Sequence, residues 1–411
     1  MMKGYIKNLI VCTFCLQLLV ACAKTEEPPR RVGEELTYTN GVTKSLAQLL
    51  DSIPEASIYR AAFNRTSIQA YMDSLNEGVV KSPYTLFVPT NKAWEAAGYT
   101  KDNINAVPVA ALDTIIRYLA VAGGMPATSK LYGGVLLYPL MYSDGDLTRT
   151  QVPGPFNAAL AYFYRLTAGI SDGVLQLNGK AVGKSPAIAA TNGTIFMIDS
   201  LVIKPFYESY QVLAGDTSFS FYMAAMKKNN ELYQQKGIIG APYQNIQFND
   251  TLSLVLTTGL TTPGTDPVSI VFAPDNNAFR KAGFNSIAAI NSYIDKSALA
   301  ASPDGTQLLT NMDSILVNHR LLINFNNNSN IRLNTNYSYL YTTSLLNGYY
   351  PSNLNNGNAL GAITITRNNG QIILHRLDAP SGRGAVITTP SDITTLTGVI
   401  HRVDNLLLPT P

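Results

Sequence analysis

The chain has 411 residues, a formal net charge of +3, and 14% charged residues against 46% hydrophobic ones. Since domains usually hold about 100 to 200 residues, this length predicts two domains, and the apolar share is sufficient for packed cores. The small net charge argues against a nucleic-acid binder, which would show a strongly basic surface, so we expect no nucleic acid among the partners.

The first 21 residues have the pattern of a signal peptide. Lys3 and Lys7 precede an apolar stretch, Leu9–Leu19, which is shorter than the roughly 20 residues that a membrane-spanning helix needs. The stretch ends in Leu-Val-Ala-Cys at positions 19–22, which resembles the bacterial lipobox and implies that Cys22 is lipidated. Cys12 and Cys15 lie inside the leader, so no free thiol remains for a disulfide, a metal or catalysis.

Residues 22–39 are polar, charged and proline-bearing, and they predict a flexible tether. The cluster Lys24–Glu27 is similar to the acidic export signals of surface-exposed lipoproteins in Bacteroidetes-type bacteria. This similarity implies a lipid anchor in the outer membrane, with the protein facing outward. A plain solvated linker would explain the same residues, so a periplasm-facing protein stays open.

Two motif pairs occur twice in the same order. "TLFVPTNKAW" at 85–94 corresponds to "SIVFAPDNNAF" at 269–279, and "NGTIFMIDSLVIKP" at 192–205 corresponds to "TGVIHRVDNLLLP" at 397–409. An ordered repeat of this kind indicates two copies of one structural unit. We therefore place one domain at 40–205 and a second, with a longer Tyr- and Asn-rich insertion, at 206–411.

Each motif has a structural interpretation. In the opening motif, a buried strand around Phe87 ends at Pro89, Asn91 or its neighbour Thr90 caps the next helix, and Trp94 anchors the core. In the closing motif, Asp199 is expected to accept a backbone hydrogen bond rather than to act as a catalytic acid. The equivalent residues of the second copy are Phe272, Pro274, Asn276, Phe279 and Asp404.

Both motif pairs resemble the two signature boxes of the fasciclin (FAS1) domain. The resemblance implies an α+β fold with two tandem fasciclin-like domains, each a strand-rich wedge packed against several helices. Many fasciclin domains carry a Tyr-His pair that is implicated in adhesion in animal members. This chain has Tyr118-Leu119 in one copy and Asn318-His319 in the other, so integrin-type adhesion does not follow from the resemblance.

The residues needed for catalysis or metal binding are sparse. The three histidines, His319, His375 and His401, all fall in the second copy, and none is four residues from another. There is no G-x-S-x-G elbow and no phosphate-binding glycine loop. We expect no enzyme activity, no metal and no cofactor.

The tyrosines of the second copy are the predicted binding residues. Tyr337, Tyr339 and Tyr341 alternate, so on a strand they would share one face and could present aromatic platforms, with Tyr349 and Tyr350 nearby. They could equally pack a sheet edge with wet hydroxyl groups. His319 is a further candidate contact, although a hydrogen-bonded packing role is the simpler interpretation.

These features together predict a non-catalytic cell-surface adhesion or binding lipoprotein. Its expected partners are the membrane, through the lipid anchor, and a protein or carbohydrate at the cell surface. One alternative is an accessory glycan-binding component of an outer-membrane polysaccharide uptake system. Another is a structural module of a surface assembly.

Overall fold

The computed structural model describes residues 42–75, 83–123, 135–137, 139–141, 144–149, 160–162, 164–184, 186–235, 268–298, 300–301, 308–323, 339–355, 358–379 and 383–409. Residues 42–411 form one compact unit. The predicted signal peptide, Cys22 and the tether lie outside the described residues.

The first half begins mainly with helices and ends in a run of short strands. Its helices are α1 (Leu46–Ser52), α2 (Ser57–Arg65), α3 (Ile68–Leu75), α4 (Asn91–Ala96) and α5 (Val109–Tyr118). Its strands are β1 (Tyr84–Pro89), β2 (Ala120–Ala122), β3 (Val135–Leu137), β4 (Asp144–Arg149), β5 (Leu160–Tyr162), β6 (Leu166–Ser171), β7 (Val174–Leu177), β8 (Lys180–Ala181), β9 (Ile188–Ala190) and β10 (Gly193–Ile198). Single 3₁₀ turns cover Pro54–Ala56 and Ile104–Ala106.

The described part of the second half follows a similar order, with two short strands and a further helix before β14. Its helices are α6 (Ser209–Gly215), α7 (Ser220–Gln235), α8 (Asn276–Lys281), α9 (Ile287–Asp295) and α10 (Asp313–Leu316). Its strands are β11 (Val268–Pro274), β12 (Ala300–Ala301), β13 (Leu308–Leu309), β14 (Arg320–Ile323), β15 (Gly348–Asn355), β16 (Asn358–Asn368), β17 (Gln371–Arg376), β18 (Ala385–Thr394) and β19 (Gly398–Val403). The 3₁₀ turns are Thr217–Phe219 and Val317–His319.

A parallel pair of strands forms the centre of each half. In the first half β1 pairs with β10, and Phe87 lies opposite Phe196. In the second half β11 pairs with β19, and Phe272 lies opposite His401. The opening and closing motifs therefore meet in the same register in both halves, which explains why the two motifs recur together.

The central strands of the second half are buried on both faces, as parallel pairs usually are. On one face Val271 and Ile400 join a core built with the helices, including Phe279. On the other face Ile270 and Val399 join a second core built with β15, β16 and β17. This layer of helices against a strand-rich wedge is the predicted α+β arrangement, and the fold class is confirmed.

The seven strands of the larger sheet follow the order β14-β11-β19-β18-β17-β16-β15. Its two outer strands, β14 and β15, pack close to each other, so the sheet curls on itself. In the first half, β2-β1-β10-β9 and β3-β6-β7-β8 form separate sheets.

Of the two capping residues predicted in the opening motif, the structure uses Thr90. Thr90, not Asn91, caps α4, because its hydroxyl accepts from the backbone N–H of Ala93. The Asn91 side chain instead reaches the first turn of α2, where its Oδ1 accepts from the N–H of Ile58 at 2.9 Å and its Nδ2 donates to Pro54 O at 3.1 Å. Asn91 therefore satisfies an unpaired N–H of another helix.

The second half repeats this arrangement bond for bond. Asp275 caps α8 by accepting from Ala278 N–H. The Asn276 Oδ1 accepts from the N–H of Phe221 on α7 at 2.9 Å, and its Nδ2 donates to Thr217 O at 3.0 Å. An asparagine is suited to this position because its amide both accepts and donates.

The closing motif also needs its glycine for an unexpected reason. The sequence suggests a turn in which Gly193 takes a positive φ, but Gly193 is not among the positive-φ residues. A Cβ on Gly193 would lie 2.1 Å from Tyr84 O on the paired strand. Close approach of the two backbones, rather than turn geometry, therefore requires glycine here.

Asp199 and Asp404 lie at equivalent positions of the two closing motifs. Their backbones make equivalent hydrogen bonds, but their side chains have different roles. The N–H of Asp199 donates to Val182 O, and the N–H of Asp404 donates to Val386 O. The Asp404 carboxylate also accepts from Val386 N–H at 2.8 Å, whereas the side chain of Asp199 is exposed. Asp404 is thus a structural acceptor.

We expect Asn276→Ala to lower the free energy of unfolding by about 1 to 3 kcal/mol, because Phe221 N–H and Thr217 O lose their partner at a half-buried position. Urea denaturation monitored by circular dichroism would measure this change. The matched control is Asn277→Ala on the same helix, whose side chain only accepts from exposed Arg280 and should change the stability by no more than about 0.5 kcal/mol. Equal effects of the two substitutions would contradict the structural role of Asn276.

Candidate functional site

A short stretch of coil between β10 and α6 exposes large apolar side chains. Phe206 and Tyr207 are 57% and 64% exposed, Ile203 is 54% exposed, and Tyr210 in the first turn of α6 is 40% exposed. We call residues 203–210 the aromatic segment. Clustered exposed apolar side chains of this kind mark interaction surfaces more often than isolated ones do.

Both ends of the aromatic segment are anchored. Val202, just before it, is buried in the core of the first half. Ser209, near its other end, is fully buried, and its N–H donates to Thr397 Oγ1 at 3.0 Å. Between these points, Tyr207 O accepts from Leu396 N–H at 2.9 Å. The exposed side chains are therefore carried by a backbone that is tied to both halves.

The charge of the aromatic segment is balanced. Lys204 and Glu208 are its two charged residues. Lys204 Nζ donates to the hydroxyl of Tyr164 and lies 5.2 Å from the ring centroid of Phe206, which is a cation–π distance. Because these two charges have opposite signs, the segment has no net charge. We therefore expect it to bind a partner through apolar contact rather than through electrostatic steering.

Sequence reasoning did not identify this segment as a site. The signal was present in "IKPFYESY", residues 203–210, where three aromatic residues follow Pro205 within five positions. It was overlooked because the closing motif ends there, and the tyrosine-rich stretch of the second half held more aromatic residues.

Two predicted binding residues are not on the surface. Tyr339 is 5% exposed and Tyr341 is 1% exposed, so the prediction that they form an exposed platform is wrong. They lie in a turn rather than on a strand, with their rings stacked at a centroid distance of 6.4 Å. Their apolar rings are buried in the second core of the second half, with Ile363 and Leu374, which is more favourable than exposure to water. Tyr337 lies outside the described residues.

The other two tyrosines of this group lie on β15. Tyr349 is half exposed and sits opposite Thr364 on β16. The Tyr350 hydroxyl is engaged locally, because it donates to Leu346 O and accepts from Leu346 N–H. Among the predicted tyrosines in the described part of the chain, Tyr349 is the one most available to a ligand.

His319 is fully buried within the second half and is therefore not a surface contact. Its Nδ1 donates to Phe272 O at 2.9 Å, and its Nε2 accepts from Leu407 N–H at 2.9 Å. These two bonds define a neutral imidazole that joins the central strand β11 to the end of the chain. Burial lowers the pKa of His319 from 6.5 to about 4.

The described residues hold no group of three or more His, Cys, Asp or Glu side chains that could bind a metal. No helix in this described part is long and apolar enough to cross a membrane. Buried polar residues such as Asp313 are engaged in local networks, with Asp313 accepting from Thr310 N–H and from Asn229.

The neutral state of His319 predicts sensitivity to acid. Because its folded pKa lies below its unfolded value of 6.5, its contribution to stability is complete above pH 6.5 and is lost as the pH falls toward 4. The loss should reach about 3 kcal/mol at pH 4 relative to pH 8. Urea titrations of wild type and His319→Gln should converge by about this amount over that range and run parallel above pH 7. Parallel curves throughout would show that the imidazole does not titrate as described.

One comparison with known proteins agrees with the motif pair of the first half. The family model described as "Fasciclin domain" matches residues 54–204. No curated protein matches the sequence. Among solved structures, a FAS1 domain pair from the insect cell adhesion molecule Fasciclin I matches at 13% identity, covering 86% of this chain and 97% of that chain, with a TM-score of 0.31. A TM-score that low supports no conclusion about this chain. The family model, in contrast, shows that residues 54–204 are similar to a fasciclin domain.

Proposed function

We propose that this protein is a non-catalytic binding protein of the cell surface, and that it adheres to proteins on neighbouring cells through the aromatic segment. The observation that carries the proposal is the exposure of Ile203, Phe206 and Tyr207 on a coil that is anchored at both ends. Aromatic side chains of this type dominate the energetics of protein interfaces, since they bury a large area with few rotatable bonds.

A protein surface fits this segment better than a glycan does. Ile203 and Phe206 have no hydrogen-bonding side-chain atoms, so a hydroxyl-rich ligand that covered them would lose hydrogen bonds to water without replacement. An apolar groove on a protein would gain by covering them.

The glycan-binding alternative now has less support. It relied on the tyrosines between residues 337 and 350, and the burial of Tyr339 and Tyr341 leaves Tyr349, beside Thr364, as the candidate platform among those that the structure describes. The role of a structural module in a surface assembly would use the same aromatic segment, and it differs from adhesion only in the partner.

Adhesion can be tested with fluorescent beads that carry the purified protein, added to cells of the producing strain from which its gene has been deleted. We expect the beads to bind, and the double variant Phe206→Ser/Tyr207→Ser to bind at least tenfold more weakly, because interface aromatics typically contribute about 2 kcal/mol or more each. Val109→Ser is the control, since Val109 is a 46% exposed apolar residue of α5, outside residues 203–210.

The results separate the candidate functions. Unchanged binding of the double variant would refute the role of the aromatic segment. Loss of binding with Tyr349→Ala instead, together with competition by soluble cell-surface polysaccharide, would favour the glycan-binding alternative.

We further propose that Cys22 is lipidated and anchors the protein in the outer membrane. The support is the lipobox-like Leu-Val-Ala-Cys sequence that follows the apolar leader. Cells that express the protein should incorporate radioactive palmitate into it, and Cys22→Ser should abolish this label and move the protein from the membrane to the soluble fraction. Labelling that survives Cys22→Ser would exclude this anchor. Protease treatment of intact cells would then distinguish outward from periplasmic display.

A further inference from the structure

The two halves meet at a tyrosine ring placed on a glycine turn. Asn178 and Gly179, between β7 and β8, have φ values of 49° and 73°, and they form a tight turn of the first half. The side chain of Tyr341 from the second half lies directly over this turn. A Cβ on Gly179 would lie only 2.5 Å from Tyr341 Cδ1 and 2.6 Å from its Cγ. The contact is therefore possible only while position 179 has no side chain.

The second half holds Tyr341 in place through its neighbours. The Nε2 of His401 donates to Leu340 O at 2.8 Å. The Asp392 carboxylate accepts from Thr342 N–H at 2.6 Å and from the Thr342 hydroxyl. The Tyr341 hydroxyl shares a hydrogen bond of 3.1 Å with Thr394. The residues on both sides of Tyr341 are thus fixed by β18 and β19.

The first half supports its side of the contact with a buried network. Asn178 Nδ2 donates to the hydroxyl of Tyr118 at 2.8 Å, and that hydroxyl donates to Arg165 O at 2.9 Å. Burial raises the pKa of Tyr341, and the neighbouring hydroxyl of Tyr118 contributes to this rise. The Asn178 side chain therefore ties the turn to Tyr118 of the first half.

This network continues to the aromatic segment. The Tyr118 ring packs edge-to-face on Tyr164 at a centroid distance of 6.3 Å. Lys204, which belongs to the aromatic segment, donates to the Tyr164 hydroxyl and lies 4.5 Å from its ring centroid. Direct contacts therefore connect Tyr341 to the aromatic segment through side chains of the first half.

A second connection comes from the turn between β18 and β19. Leu396 in this turn is buried in the core of the first half, although it belongs to the second. Its N–H donates to Tyr207 O, and the hydroxyls of Thr395 and Thr397 contact Ser209 Oγ at 2.7 and 3.0 Å. The aromatic segment is thus held between the two halves.

We propose that Tyr341 and the Asn178-Gly179 turn form a clasp that keeps the two halves docked and thereby fixes the aromatic segment in its exposed conformation. Loss of the clasp frees the second half to shift, which removes the support that Leu396 and the two threonines give to the segment. The clasp itself is independent of the partner. Its consequence for binding rests on the function proposed above.

The chain offers a matched pair of substitutions for the test. Gly173 lies in a second tight turn of the same half, with the same φ of 73°, and a Cβ there would meet nothing within 4 Å. Gly173→Ala and Gly179→Ala therefore carry a similar backbone cost, and they differ in the clash with Tyr341. Amide hydrogen exchange of residues 201–208 and 339–345 is the readout, on full-length protein.

We expect Gly179→Ala to speed exchange in both stretches at least tenfold, and Gly173→Ala to leave both close to wild type. Equal exchange in the two variants would overturn the clasp. Tyr341→Ala removes the ring instead of obstructing it, and it should speed exchange in the same stretches, whereas Tyr341→Phe keeps the ring and should not. This second pair tests the proposal even if Gly179→Ala does not fold.

A double variant adds an internal check. In the Tyr341→Ala background, Gly179→Ala should speed amide exchange no more than Gly173→Ala does, because the clash with the Tyr341 ring has been removed. An additional acceleration specific to position 179 would show that the turn acts through some other contact.

The bead assay separates this inference from the proposed function. If Gly179→Ala speeds exchange but the Phe206→Ser/Tyr207→Ser variant still binds cells, the clasp stands and the function of the aromatic segment fails. If the aromatic variant loses binding while Gly179→Ala changes neither exchange nor binding, the function stands and the clasp fails.

Discussion

Each half depends on a parallel pairing between a strand near its beginning and the strand at its end. β1 cannot bury both faces until β10 arrives more than 100 residues later, and the same holds for β11 and β19. The pairing therefore has a high cost in loop-closure entropy, and it must be offset by the helices on one face and the wedge strands on the other. Close approach of the paired backbones at Gly193 is part of this arrangement.

The asparagines of the opening motifs accept hydrogen bonds from backbone N–H groups at the start of a neighbouring helix. In each half, the helix that follows the first central strand packs beside the first long helix, which is α2 in one half and α7 in the other. The start of this long helix has unpaired N–H groups. Asn91 and Asn276 satisfy these groups from the neighbouring helix. One side chain thus links two helices, and the same link recurs in both halves although their sequences have diverged.

The sequence was sufficient for the repeat, the α+β class and the burial of Trp94 and Phe279, because strand periodicity and motif order are local signals. It was not sufficient for Tyr339 and Tyr341. Their alternation suggested an exposed strand, but both are buried in the core beside β16 and β17, and Tyr341 also lies over the Gly179 turn of the other half, which no local pattern reveals. The role of Asn91 was misassigned for a similar reason, since its partner helix lies more than 25 residues upstream in the chain. In both cases the role of the residue is set by contacts with segments that are distant in the sequence.

The curled sheet of the second half has a consequence for the protein at high concentration. Open sheet edges recruit strands from other molecules and so promote aggregation. Because β14 and β15 pack close to each other, each outer strand partly covers the other and leaves less room for an incoming strand. This sheet therefore contributes little to self-association even at high protein concentration.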